Sequence, residues 1–186
     1  IAQRLIGPEL KVDARLSVDG SGALEISRLA ADSDAIKLNG NLGLSSGMET
    51  FLADYQIDIG RAGDILPGVI GSFRVEGSAS GPTANPTLAG TAYLNDVSMA
   101  DFDAGSAVVK FEATNVASAP SGRVWVTAEQ ALVGPVEGTT AFDVKNFERV
   151  ELTGLDLHAG GTSAIGELRI PLQNGPILGK VSGDIE

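Results

Sequence analysis

The chain consists of short segments in which apolar and polar residues alternate. The clearest example comprises a strand-like segment over 72–80, a turn over 81–86 and a second segment over 87–97. Period-two alternation bounded by Gly, Pro and Asn is typical of half-buried β-strands. Gly81 can adopt a positive φ, and the two prolines of the turn restrict both their own φ and the residue before them. This stretch therefore predicts two strands joined by a defined turn.

The rest of the chain repeats this arrangement. Further strands are predicted over 10–18, 23–29, 36–44, 51–59, 106–114, 122–129, 138–145, 149–158, 163–170 and 177–185. Residues 61–70 alone suggest a helical turn, ended by Pro67. About twelve regularly spaced strands without an amphipathic helix predict an all-β antiparallel meander.

Nearly every predicted strand has one aliphatic face and one polar face. A closed globule would bury the aliphatic faces inside a sandwich, whereas an open sheet would bend them around an apolar ligand. Aromatic residues make up only 5 % of the chain, and a sandwich interior normally needs more of them to fill its volume. The composition therefore favours an open, curved sheet with a hydrophobic concave face.

The net charge and the cysteine content of the chain argue against several classes of function. The net charge of −11 argues against nucleic acid, whose binding needs Lys and Arg to neutralise phosphates, and against anionic membrane surfaces. The absence of cysteine excludes a disulfide scaffold and a thiolate metal site.

We expect a single structural unit over 1–186, because no linker divides the chain. No apolar run approaches the roughly 20 residues that span a bilayer, and no signal peptide is visible. Ile1 is not an initiator Met and a strand-like pattern reaches Glu186. We therefore interpret the chain as a segment of a longer protein.

A weak internal repeat supports a repeat-built architecture. Residues 24–29 (LEISRL) align without gaps on 150–155 (VELTGL), and 40–44 (GNLGL) fall on 166–170 (GELRI) at the same offset. Glu, Ser/Thr and Gly positions match as well as apolar ones, which favours true repetition over chance.

Candidate catalytic and metal-binding groups are sparse. His158 lies two residues after Asp156, but no G-x-S-x-G nucleophile elbow accompanies them. The turn over 101–105 has a faint resemblance to a calcium loop, yet lacks the further oxygen ligands and the closing Glu. The glycine-rich segment 77–81 has no Lys and opens no helix, so it does not predict a phosphate site.

A charged outer face explains the carboxylate pairs Asp32/Asp34 and Glu148/Glu151, because no pocket is predicted around them. Trp125 has the opposite parity to Val124 and Val126. Trp125 could contact a partner or cover a sheet edge. We predict a non-enzymatic protein without cofactor or metal.

The longer motifs resemble a known family. They are VEGSASGPTANPTLAGTAYLNDV at 75–97, preceded by LNGNLGL at 38–44 and DILPGVIGSFRVEG at 64–77, and followed by VELTGLDLHAGGTSAIGELRI at 150–170. Together they resemble the TamB (translocation and assembly module) family of AsmA-like, bridge-type lipid-transfer proteins of Gram-negative bacteria. The resemblance covers nearly the whole chain, although neither the family's N-terminal membrane helix nor its barrel-docking end is recognisable.

The resemblance implies a β-taco, a folded gutter with a hydrophobic concave surface, in an inner-membrane-anchored protein that crosses the periplasm. Its implied partners are phospholipid acyl chains and an outer-membrane Omp85-type barrel (TamA-like). The implied function is phospholipid transport between the membranes. The alternative within the family is a scaffold for assembly of nascent outer-membrane β-barrel proteins and autotransporters during their secretion. An alternative of another class is a structural β-solenoid or adhesin segment with a dry core.

Strand parity then assigns the lining of the groove. We predict that it comprises Leu42, Leu44, Ile57, Ile59, Phe73, Val75, Leu88, Leu94, Val109, Phe111, Val124, Val126, Phe142, Val144, Leu155, Leu157, Leu168 and Ile170. The same residues could instead fill an ordinary dry core. Because an open gutter exposes apolar edges, we also expect the isolated chain to self-associate or bind detergent.

Overall fold

The computed structural model describes residues 9–64, 68–99, 102–131, 134–172 and 176–185. These residues form one antiparallel sheet of twelve strands, in which each strand pairs with the strands before and after it in the chain. The sheet does not close, because β1 and β12, at its two ends, are not paired with each other. The predicted all-β, open, curved meander is therefore confirmed.

The strands are numbered in chain order. They are β1 (Lys11–Val18), β2 (Leu24–Asp32), β3 (Ile36–Leu44), β4 (Thr50–Ile59), β5 (Val69–Pro82), β6 (Thr87–Met99), β7 (Phe102–Thr114), β8 (Ser121–Ala131), β9 (Gly134–Lys145), β10 (Arg149–Ala159), β11 (Thr162–Pro171) and β12 (Leu178–Ile185). One-turn 3₁₀ helices at Ser46–Met48 and Ala62–Asp64 precede β4 and β5. The helical turn predicted over 61–70 is thus shorter than expected, since β5 already begins at Val69; residues 65–67 lie outside the described residues.

The strand register gathers the aliphatic residues on one face of the sheet. Ile57 in β4 lies opposite Leu38 in β3 and Val75 in β5, and Val75 lies opposite Ala92 in β6. Side chains alternate between faces along a strand, and directly opposed residues share a face. The pairing therefore carries one set of apolar positions, called here the apolar face, from β1 to β12.

β-Bulges keep the apolar face continuous where strict alternation would break it. In β2, Ile26 lies opposite Leu42 while Leu29, three residues later, lies opposite Gly40. A bulge adds one residue to one strand, so the residues that follow it switch faces relative to strict alternation. The apolar residues after the bulge therefore stay on the apolar face. Corresponding register shifts occur at Leu94/Val97 in β6 and Leu152/Leu155 in β10.

The bulges in β2 and β10 coincide with the sequence repeat. Leu29 pairs with Gly40 immediately after one bulge, and Leu155 pairs with Gly166 immediately after the other. These are the positions that the two repeats superimpose. The repeat therefore encodes a shared hairpin with a bulge, in addition to a shared pattern of apolar residues.

The described residues form a single layer. Extensive contacts join only strands that are neighbours in the chain, apart from those between β5 and the helical turn before it. The accessible surface is 11933 Å², whereas a compact monomer of this mass would have about 8,400 Å². No large side chain among the described residues is fully buried. This part of the chain therefore has no second layer to cover the apolar face.

Candidate functional site: an uncharged face across the sheet

The structure places all the residues predicted to line a groove on the apolar face. The register links them across the sheet, as Ile59 opposite Phe73, Phe73 opposite Leu94, and Phe111 opposite Val124 illustrate. In β10, Leu155 and Leu157 reach this face because the bulge changes parity after Leu152. The predicted set therefore lies on one surface.

Several residues of the apolar face were missing from the predicted lining. Ile26 and Leu29 in β2, Leu38 in β3 and Leu152 in β10 all belong to it by register. Strict alternation along β10 would place Leu152 and Leu155 on opposite faces, because they are three residues apart. Gly154 was the available signal, because a glycine within an alternating strand suggests a bulge.

The apolar face carries no charge. Wherever strand pairing assigns a described residue to a face, every Asp, Glu, Lys, Arg and His lies on the opposite, polar face; Asp96, in the β6 bulge, has no paired position. The polar groups on the apolar face are the hydroxyls of Tyr55, Thr140 and Thr162. Thr140 Oγ1 donates to the carbonyl of Thr153 at 3.2 Å, and Thr162 donates to the carbonyl of Ala159. Such a surface can hold hydrocarbon without desolvating an ion.

The Tyr55 hydroxyl and the Phe111 ring lie over a pair of glycines near the middle of this face. Gly77 in β5 and Gly90 in β6 lie opposite each other, with Tyr55 beside Gly77 and Phe111 beside Gly90. A Cβ atom on Gly77 would lie 2.8 Å from the Tyr55 hydroxyl oxygen, and one on Gly90 would lie 2.7 Å from Phe111 Cζ. The rings therefore lean toward each other across a floor that has no side chains.

Exposure agrees with the predicted concave shape of the apolar face. The four most buried alanines of the strands all lie on this face, at 8 % exposure each: Ala79, Ala107, Ala113 and Ala128. Other alanines of the apolar face are half-buried or, in the edge strand β1, exposed, and Ala89 and Ala141 on the polar face are half-buried. Curvature crowds the side chains on the inner surface of a sheet and separates those on the outer surface. The confinement of the most buried alanines to the apolar face is therefore the pattern expected if this face lies inside.

The polar face is organised by hydrogen bonds between neighbouring strands. Arg74 Nε donates to Asp58 Oδ1 at 2.6 Å, and Gln56 donates to the other carboxylate oxygen at 2.7 Å. The Arg74 guanidinium holds the pKa of Asp58 below its usual value. The Tyr93 hydroxyl donates to Glu76 at 2.9 Å, which raises the pKa of Tyr93. These hydrogen bonds hold the charged side chains on the polar face, on the opposite side of the sheet from the apolar face.

A depression of about 820 Å³ lies mainly on the polar face, over β4 to β8. Trp125 and Lys110 contribute to its wall, together with the carboxylates of Asp54, Glu76 and Glu112. The Arg123 guanidinium lies 5.9 Å from the Trp125 ring centroid, a cation–π distance. Because the depression is open and its charges have both signs, it does not identify a ligand.

Two of the other polar candidates, His158 and Glu151, lie in exposed or half-buried pairs with another polar side chain. His158 Nε2 lies 3.1 Å from Asp156 Oδ1, with both side chains largely exposed. Glu151 is paired with Arg149 at 3.0 Å. No group of three or more His, Asp or Glu side chains is placed to hold a metal ion among these residues. Asp101 of the calcium-like turn lies outside them.

Two further findings concern membrane-spanning helices and similarity to known proteins. None of the described helices is long and apolar enough to cross a membrane. No protein-family model, curated protein or solved structure matches the chain.

Proposed function

We propose that the chain is a TamB-like, non-enzymatic conduit whose apolar face carries phospholipid acyl chains. The observation that supports this proposal is the uncharged surface, which continues across twelve strands with no covering layer in the described chain. A face built only to fill a protein core would be expected to meet a second layer. An amphiphile supplies that layer here.

The energetics of the cargo favour a continuous surface over discrete sites. Each methylene that leaves water gains about 0.8 kcal/mol, so exposing a 16-carbon chain costs on the order of 12 kcal/mol. Strands about 4.8 Å apart give the sheet a length of roughly 55–60 Å. An acyl chain that stays covered along this length never encounters the full barrier, while its headgroup remains in water at the open side.

The family resemblance supplies the cellular setting of the proposal. In that setting the chain is a periplasmic part of an inner-membrane-anchored protein, and it works with an Omp85-type outer-membrane barrel. Phospholipids would move between the two membranes along the apolar face. The neutral, aliphatic character of this face supports a cargo of hydrocarbon chains and requires no ligand-specific polar contact.

Native mass spectrometry of the purified chain, combined with lipid extraction, tests the proposal. The variants are Val126→Asp and Phe111→Asp on the apolar face, with Thr127→Asp as the matched control on the polar face of the same strand as Val126. We expect phospholipid or detergent to remain bound to the wild-type protein and to Thr127→Asp. Both apolar-face variants should lose it while their circular dichroism spectra remain those of a β-sheet.

The opposite result would support a dry core. If the wild-type mass shows no bound amphiphile, and Val126→Asp unfolds the chain while Thr127→Asp does not, the apolar faces are packed against protein. Val126→Asp is decisive here, because Phe111→Asp also removes the ring that lies over Gly90.

A second candidate function is favoured by the edges of the sheet. β1 and β12 each lack a neighbour on one side among the described strands, and an open edge can accept an extended peptide by strand addition. A scaffold for nascent outer-membrane proteins would use these edges. Binding of unfolded β-barrel peptides to the chain, unaffected by Val126→Asp, would favour the scaffold over the conduit.

A further inference from the structure

The Tyr55 hydroxyl differs from the other polar groups on the apolar face. The hydroxyls of Thr140 and Thr162 donate to carbonyls of the chain. The Tyr55 hydroxyl has no hydrogen-bond partner among the described residues, although its neighbours on this face are apolar. The oxygen is not fully buried, so it can bond water while the face is open, and it needs another acceptor once hydrocarbon covers the face.

Local sequence places this hydroxyl where a ligand can reach it. Tyr55 in β4 lies between Gly40 in β3 and Gly77 in β5, so no side chain flanks its ring on either strand. The hydroxyl oxygen lies over Gly77, at the position that a Cβ atom there would approach to 2.8 Å. Gly90 extends this gap toward Phe111. The donor therefore borders a trough floored by backbone.

The chemistry of the site selects an uncharged acceptor. Burial raises the pKa of Tyr55 above its ordinary value of 10.0, so the phenol is neutral and donates a hydrogen bond at physiological pH. No cationic side chain lies on the apolar face of the described strands to stabilise a phosphate or carboxylate that has left water. An ester carbonyl is the acceptor that an acyl lipid carries next to its hydrocarbon chains.

We propose that the Tyr55 hydroxyl donates a hydrogen bond to an ester carbonyl of a bound lipid and thereby favours ester-linked over ether-linked chains. This inference rests on the proposed function, since it requires a lipid on the apolar face. Tyr55 is a specificity-determining residue in this account. It gives an otherwise featureless surface one position at which a lipid is preferentially held.

The test compares two phosphatidylcholines with 16-carbon chains, one a diester and one a diether, by displacement of a fluorescent fatty acid from the full chain. One net hydrogen bond should make the wild-type protein bind the diester about two- to tenfold more tightly than the diether. Tyr55→Phe keeps the ring opposite Gly77 and should bind both lipids equally, with the affinity that the wild-type protein has for the diether. Tyr93→Phe, which removes a polar-face hydroxyl bonded to Glu76, should retain the wild-type preference.

The outcomes separate this inference from the proposed function. If both lipids bind but the wild-type protein and Tyr55→Phe show the same diester-to-diether ratio, Tyr55 does not read the ester and the conduit proposal survives. If neither lipid binds to the wild-type protein, both proposals fail. Unchanged thermal melting of Tyr55→Phe shows that any loss of preference arises at the hydroxyl and not from unfolding.

Discussion

The ring of Phe111 occupies the space that a side chain at Gly90 would need. The two residues lie directly opposite each other in β7 and β6, and a Cβ atom on Gly90 would lie 2.7 Å from Phe111 Cζ and 2.8 Å from the carbonyl oxygen of Glu76. An aromatic ring placed over a glycine protects the backbone that the glycine leaves bare, a device known from designed and natural sheets. Gly90 is therefore required for packing.

Gly90→Ala should destabilise the sheet. The added methyl group meets a ring and a backbone carbonyl at less than van der Waals distance, and overpacking of this kind typically costs about 1–3 kcal/mol. The loss should appear as a lower midpoint in urea unfolding followed by circular dichroism. Because part of the clash is with the ring, the penalty of Gly90→Ala should be smaller in a Phe111→Ala background.

Gly43→Ala is the matched control. Gly43 also lies within a strand, but a Cβ atom there would meet only the carbonyl oxygen of Leu52, at 3.9 Å. Alanine restricts the unfolded chain, so this change should be neutral or stabilise by about 0.4–1 kcal/mol. Equal losses in Gly90→Ala and Gly43→Ala would show that the Phe111 contact is unimportant.

The β10 bulge should depend on the backbone at Gly154. Its φ is +58° and a Cβ atom there would meet nothing within 4 Å, so substitution adds backbone strain without a steric clash. Gly154→Val should cost at least about 1 kcal/mol, because β-branched residues avoid this conformation, whereas Gly154→Asn should be tolerated better. Denaturant midpoints of the two variants measure the difference. Identical midpoints would mean that the bulge relaxes into another conformation.

Acid should weaken the interaction between Asp58 and Arg74. The folded state holds the Asp58 pKa below its ordinary value, which is about 3.9 in an unfolded chain. The pair therefore contributes its full stability above that pH and loses it as the pH falls through the folded pKa. Thermal melts from pH 6 to pH 2.5 should show a shallower decline for Asp58→Asn than for the wild-type protein. Parallel profiles would place the acid sensitivity elsewhere.

The edges of the sheet should drive self-association. On β1, Val12 and Leu16 are 60 % and 58 % exposed, and Val181 on β12 is 54 % exposed. Lysine blunts an open edge by placing a charge where another strand would pair. Leu16→Lys and Val181→Lys should therefore lower the weight-average mass in sedimentation equilibrium. Ser17→Lys, on the polar face of β1, controls for net charge; an equal effect of Ser17→Lys would indicate general repulsion.

Alternation of apolar and polar residues was sufficient to predict the strands and the face on which most side chains lie. The strand predicted over 36–44 has those bounds in the structure. The strand predicted over 72–80 extends to Val69–Pro82. The predicted strand excludes Gly71, whose φ is +113°, and the predicted turn includes Pro82, because propensity at strand ends does not reveal whether a neighbouring strand offers pairing.

The candidate site was harder to predict where the position of a residue depends on a bulge or on residues of the neighbouring strands. Leu152 was omitted because a single bulge is a tertiary choice between two local registers. Tyr55 has the same strand parity as Ile57 but is not among the residues predicted to line the groove. Its importance depends on Gly40 and Gly77, which come from adjacent strands and meet it only after pairing. The spacing of residues within one strand does not show which residues of other strands will lie beside it.

Pairing between consecutive strands also has a consequence for how the chain acquires its structure. Every strand after β1 begins no more than ten residues after the end of its preceding partner, so loop closure is short throughout and contact order is low. Stability should approximate a sum of hairpin terms between nearest neighbours, as in other linear arrays. Hydrogen exchange should then be slowest near β6 and β7 and fastest at the two ends. The sheet can grow strand by strand as polypeptide emerges from a ribosome or a secretion channel, and no finished part has to reopen.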